Sequence, residues 1–139
     1  MIAGRGSEVC SPLHIWLARN RRLWYILSIM KQYVIDELRY ADYEKLRDYL
    51  EAHFGGSAMA QLYWIPVDEA LLDEVQKAHT ECHPLCFAIE LEESRMSMEL
   101  LVRTRNRMRC DCIRYANSEQ RNWLIDCLDA IFEKLDIKT

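Results

Sequence analysis

Alternation of apolar and polar residues from Cys86 to Tyr115 constrains this chain more than any other feature. Phe87, Ile89 and Leu91 alternate with Ala88, Glu90 and Glu92, and Met96, Met98, Leu100 and Val102 alternate with Ser97, Glu99, Leu101 and Arg103. Met108, Cys110 and Cys112, set against Arg109, Asp111 and Ile113, repeat the pattern with smaller apolar residues. The stretch predicts three antiparallel strands in succession. Opposed residues in an antiparallel pair share a face, so the apolar sets choose the register. Phe87 is expected to face Leu100, Ile89 to face Met98, and Glu92 to face Arg95 across a hairpin at Glu93-Ser94. A second hairpin turning at Arg105-Asn106-Arg107 would oppose Val102 to Cys110, Leu100 to Cys112 and Arg103 to Arg109. The inner row is then Phe87, Leu100 and Cys112, and the outer row is Cys86, Leu101 and Asp111.

The rest of the chain supplies partners for that sheet. Gln32–Leu38 reads as a first strand, and Asp42 reads as the N-cap of a helix carrying Tyr43, Leu46, Leu50 and Phe54 and ending at Gly55-Gly56. Met59–Ile65 reads as a second strand, stopped by Pro66. Asp68 would cap a helix lined by Leu71, Leu72, Val75, Ala78, His79 and Cys82. Asn117 with Gln120 forms a capping-box start for a last helix bearing Trp123, Leu124, Cys127, Leu128, Ile131, Phe132 and Leu135. The outer face of the predicted strands is mixed in character, so all three helices are expected on the inner face. The predicted fold is an α+β two-layer open-faced sandwich, mostly antiparallel, ordered β-α-β-α-β-β-β-α with about five strands. A right-handed parallel crossover between the first two strands is compatible with that order.

With 139 residues, half of them hydrophobic and 29% charged, the chain is long enough to bury one core. The formal charge of −4 is uneven: residues 1–29 hold four Arg and one Glu, and residues 30–139 hold 14 basic and 21 acidic side chains. Residues 1–29 read as a leader outside the core fold, with Met30 a candidate translation start; read functionally, they are an amphipathic arm for a membrane surface or a partner. Residues 30–139 read as a single α+β domain. The eight-residue apolar run Leu23–Met30 is too short to span a bilayer. Six cysteines at irregular spacing, with no secretory signal, give the expectation of a cytoplasmic protein.

No nucleotide-binding loop, metalloprotease helix, nucleophile elbow or complete zinc motif occurs in the sequence. Adjacent carboxylates such as Asp36-Glu37 and Asp73-Glu74 diverge on any regular element, which argues against a general acid–base pair. A thiol nucleophile from Cys82 with His79, or Cys86 with His83, lacks an orienting third group, so catalysis is not expected.

Two constellations remain. Arg103, Arg105, Arg107 and Arg109 alternate through the second hairpin, and the predicted like-charge pair at its base favours an anion, making this tip the first candidate for binding an acidic protein surface or a phosphorylated ligand. Nucleic acid is disfavoured by the acidic balance of residues 30–139. The alternative set is His79, Cys82, His83, Cys86, Cys110 and Cys112, the ligand types zinc would take. Against zinc, the predicted register turns Cys86 outward and Cys110 and Cys112 inward, with Cys110 and Cys112 about 6.5–7 Å apart along a strand. No cofactor is therefore expected, with zinc as the alternative. A protein partner is expected from the arginine tip, and no transmembrane segment.

Overall fold

The computed structural model describes residues 30–55 and 61–138. The leader at 1–29 and the start of the second predicted strand lie outside the described residues. Lys31–Thr139 form one compact unit. Its order is β1 (Gln32–Ile35), α1 (Tyr40–Phe54), β2 (Leu62–Pro66), α2 (Glu74–Ala78), β3 (Leu85–Leu91), β4 (Met96–Glu99), β5 (Leu101–Thr104), β6 (Arg114–Tyr115) and α3 (Ser118–Lys134). The predicted α+β class, with three helices and a mostly antiparallel sheet, is the architecture found, with six strands.

β3 is the centre. β2 pairs along one edge of it, with Tyr63 opposite Ile89 and Ile65 opposite Phe87. β4 and then β5 pair along the other edge, with Ile89 opposite Met98 as expected and Cys86 opposite Arg103. β1 adds outside β4, and β6 outside β5. The first hairpin closes as predicted, Glu92 N–H donating to Arg95 C=O at 2.7 Å. Side chains from the inner face of the sheet, Phe87, Ile89, Leu91, Met96, Met98, Tyr63 and Ile65, join Leu46 and Leu50 of α1 and Leu124, Leu128 and Phe132 of α3 in one core. Trp123 of α3 stacks on Phe87 with ring centroids 6.4 Å apart.

Six expectations are corrected. The strand expected at Met108–Cys112 is a loop: β5 ends at Thr104, whose hydroxyl accepts from Asn106 N–H at 3.2 Å, and Met108 is 99% exposed. The chain rejoins the sheet four residues later than that register requires, so Val102 faces Arg114 and Leu101 faces Tyr115; Arg103 does not face Arg109. Phe87 does not pair with Leu100, because Leu100 breaks the strand between β4 and β5 and its backbone N–H donates to Lys31 C=O. The offset from β3 grows by two residues across that break, which keeps every side chain on its face. β1 and β2 do not pair; they lie at opposite edges, each antiparallel to its own neighbour, because the helix between them crosses the sheet to reach β3.

The helix expected from Asp68 to Cys82 is three short pieces: 3₁₀ turns at Glu69–Leu71 and Thr80–Cys82 flank α2. Asp73 is the reason, since its carboxylate accepts from Gln76 N–H at 2.8 Å and opens a new helix in the middle of the run. Asp42 is not the cap of α1. Arg39 holds that position, and Asp42 is buried in the first turn, 2.6 Å from the Arg39 guanidinium. Gly55 ends α1, and a Cβ there would lie 2.0 Å from Glu51 C=O. Among the described residues no helix is long and apolar enough to cross a membrane.

Candidate metal centre

Breaking the predicted helix is what assembles the candidate site. In a 3₁₀ turn, side chains three apart stand one above the other. His79, at the start of the Thr80–Cys82 turn, therefore lines up with Cys82, and Cys82 N–H closes the turn on His79 C=O at 3.0 Å. The loop after β5 brings a second pair. Residues 110–113 form a tight turn closed by Ile113 N–H to Cys110 C=O at 3.0 Å, so Cys110 and Cys112 converge where on a strand they would stand parallel. The result is a cluster of His79, Cys82, Cys110 and Cys112 whose ligand atoms all lie within 4.8 Å of one another.

His79 Nδ1 is 3.0 Å from Cys110 Sγ, and Cys82 Sγ is 3.8 Å from Cys110 Sγ. A zinc ion at about 2.3 Å from each sulfur sets tetrahedral S–S edges of about 3.8 Å. The Cys82–Cys110 edge is already at that length. Around an ion, edges as long as 4.8 Å would have to shorten and the His79–Cys110 contact to lengthen. An iron–sulfur cluster, whose ligands are divided among two or more irons, needs a wider cradle.

Charge points the same way. The Cys112 backbone N–H, foremost, with help from the Cys112, His79 and Cys82 side chains, lowers the Cys110 thiol to about 6. Burial, then the neighbouring thiols, pushes Cys112 up to about 12. The pocket thus accommodates one thiolate readily and resists a second. A divalent cation reverses that resistance by supplying the charge that a second and third thiolate need.

The surrounding polar groups hold the ligand turns in place. Gln76 Nε2 donates to Cys112 C=O at 3.3 Å, and Gln76 Oε1 accepts from Asp73 N–H and from Gln120 Nε2. Gln120 Nε2 also donates to Leu71 C=O at 2.9 Å. Both glutamines are the third residues of capping boxes, on α2 and α3, and both are fully buried. Asp73 receives Arg114 Nη1 at 3.0 Å, tying β6 to the same knot.

The six candidate ligands thus divide. His79, Cys82, Cys110 and Cys112 converge. His83 does not: its Nε2 is 2.8 Å from Gln76 C=O. Cys86 points to the outer face of the sheet, as expected, its thiol 3.6 Å from Pro84 C=O and its pKa raised by burial, with Arg105 opposing. Arg103, Arg105 and Arg107 line one surface pocket, and Arg109 is not among its lining residues. Arg103 and Arg105 lie 5.0 and 5.5 Å from the Trp64 ring centroid, Arg107 is 3.9 Å from Glu81, and Arg109 is exposed. Sequence reading missed Gln76 and Trp64, and read Gln120 only as part of the capping box of the last helix. The signal for the glutamines was there, in a glutamine three residues after Asp73 as well as after Asn117. No family model, curated protein or solved structure matches the chain.

Proposed function

We propose that this chain is a small non-catalytic binding domain whose Thr104–Arg114 loop is stapled to the turn before β3 by one zinc ion, held by His79, Cys82, Cys110 and Cys112. The carrying observation is the convergence of three sulfurs and one imidazole nitrogen within 4.8 Å. Four protein ligands fill a tetrahedral ion, which is the arrangement of a structural site; a catalytic zinc keeps a position for water or substrate. The staple joins segments about 30 residues apart that share no strand pairing. The described cysteines are all free thiols, which supports a reducing, cytoplasmic setting.

Metal analysis tests the reading. Protein produced with zinc in the medium is expected to carry about one zinc per chain, and cobalt substituted for zinc is expected to show thiolate-to-cobalt charge transfer with the intense visible bands of a tetrahedral site. His79→Ala and Cys110→Ala should each abolish retention, while Cys86→Ala and His83→Ala should retain it. Protein that takes up neither ion when fully reduced would leave the four residues as core and loop packing, and the reading would fail.

A further inference from the structure

The stapled loop also forms one wall of a groove on the opposite face of the sheet from the helices. Trp64, Leu101, Arg103, Thr104, Arg105, Arg107, Met108 and Ile113 line it, and it encloses about 320 Å³. The strand registers explain its composition. Arg103 is opposite Cys86, and Trp64 is opposite Ala88, so all four belong to the outward-facing rows of adjacent strands. Trp64, Leu101 and Ile113 contribute apolar surface, three guanidiniums surround it, and no carboxylate lines it.

Two features separate this groove from an ordinary solvated surface. Arg103 and Arg105 both lie against the Trp64 ring, which limits the freedom of their forks before anything binds. Met108, at the lip, is almost wholly exposed, a large apolar side chain given to water where a loop this polar has no folding need for it. Arg103 Nη2 stands 3.1 Å from Glu99 Oε2, yet neither Arg103 Nε nor Glu99 Oε2 makes an aligned hydrogen bond. Arg103 Nε is buried beneath the groove wall without a hydrogen-bond partner, so Arg103 presents its outer guanidinium nitrogens rather than Nε.

We propose that this groove is a docking site for an acidic protein segment carrying apolar side chains, with its carboxylates on Arg103, Arg105 and Arg107 and an apolar residue between Trp64 and Met108. Charge complementarity selects the occupant. The patch is a basic island on a domain with 14 basic and 21 acidic side chains, so a long polyanion such as nucleic acid is repelled beyond the groove, whereas a short acidic segment meets only the patch. The inference rests on the metal reading for one point alone: the staple orders the wall that carries Arg105, Arg107 and Met108.

Fluorescence anisotropy with a short labelled peptide alternating glutamate and leucine is the test, using the full-length chain with its metal content measured in the same sample. Binding is expected that weakens with salt and falls on the order of tenfold in Arg105→Glu and in Met108→Ser, whereas Arg109→Glu, outside the groove, changes it by less than about twofold. Equal losses in Arg105→Glu and Arg109→Glu would reduce the effect to general charge and overturn the site. So would no binding by a metal-loaded sample, which leaves the zinc reading standing. An oligothymidylate that binds more tightly than the peptide would also overturn it, reassigning the groove to single-stranded nucleic acid. Chelation of a metal-loaded sample is expected to weaken peptide binding about as much as Arg105→Glu does; unchanged affinity would remove the staple from the proposal.

Discussion

Gln76 is the residue on which the site depends most. Its side chain receives the Asp73 and Gln120 donors and gives its own amide to the carbonyl of Cys112, so it joins two helix starts to a ligand turn without touching the candidate ion. Gln76→Leu keeps the volume and removes every one of those bonds, leaving the Asp73 N–H and the Cys112 carbonyl without this partner and the Gln120 amide with only Leu71 C=O. The expected cost is about 2–4 kcal/mol in a chemical-denaturation measurement. A group that orients a ligand in this way also tunes the ion, so zinc affinity measured by chelator competition is expected to fall on the order of 10–100-fold. Cys86 makes the contrasting case. Buried to 1% exposure with a raised thiol pKa and no place among the ligands, it should resist alkylation in the native protein at neutral pH. Rapid labelling of Cys86, read by peptide mass mapping, would contradict that burial.

Among the elements, β5 and the loop after it depart furthest from the predicted meander. A like-charge Arg103–Arg109 pair would make Arg103→Thr neutral or stabilising. The observed surroundings reverse the sign: Arg103 lies over Trp64 and beside Glu99, whose side chain is only 19% exposed. Removing the guanidinium leaves that carboxylate partly buried without a counter-charge, and the melt of Arg103→Thr is expected to show a loss of about 1–2 kcal/mol. A mutant as stable as the parent would mean that the Trp64 and Glu99 contacts contribute nothing net. The Asp68–Cys82 run teaches a related point about helices. Its apolar spacing is helical, yet a second aspartate cap at Asp73 opens a separate helix, and that interruption turns His79 and Cys82 towards the loop.

For the whole domain, a bound metal adds stability by mass action, since the unfolded chain cannot present all four ligands together. Chelation is therefore expected to lower the melting temperature by several degrees for a domain of this size. The loss should concentrate in the stapled loop. Limited trypsin digestion after Arg105, Arg107 and Arg109 is expected to accelerate on chelation, while α3, capped at Asn117 and packed through Leu124, Leu128 and Phe132, stays intact. Uniform acceleration across the domain would place the metal's effect on global folding instead. Lys31–Thr139 already form a compact unit with a continuous core. A chain beginning at Met30 is accordingly expected to melt cooperatively within a few degrees of the full chain, and aggregation of that shorter chain would show that the leader shares the core.

Sequence alone determined the start of α3 and the central hairpin, because those depend on residues near one another in the chain: alternation from Phe87 to Met98, the Glu92–Arg95 closure, and Asn117 three residues before Gln120. It also contained all four candidate ligands. Their convergence was illegible, because period two over Met108–Cys112 matches a strand as well as it matches a loop whose cysteines meet at a turn. Choosing between them required knowing that Thr104 ends β5, and that the peptide groups of residues 110–113 close on one another rather than on a neighbouring strand. Tertiary structure decided that choice, since a ligand set from two segments exists only once the sheet, the buried glutamine pair and the broken helix have brought both segments to one place.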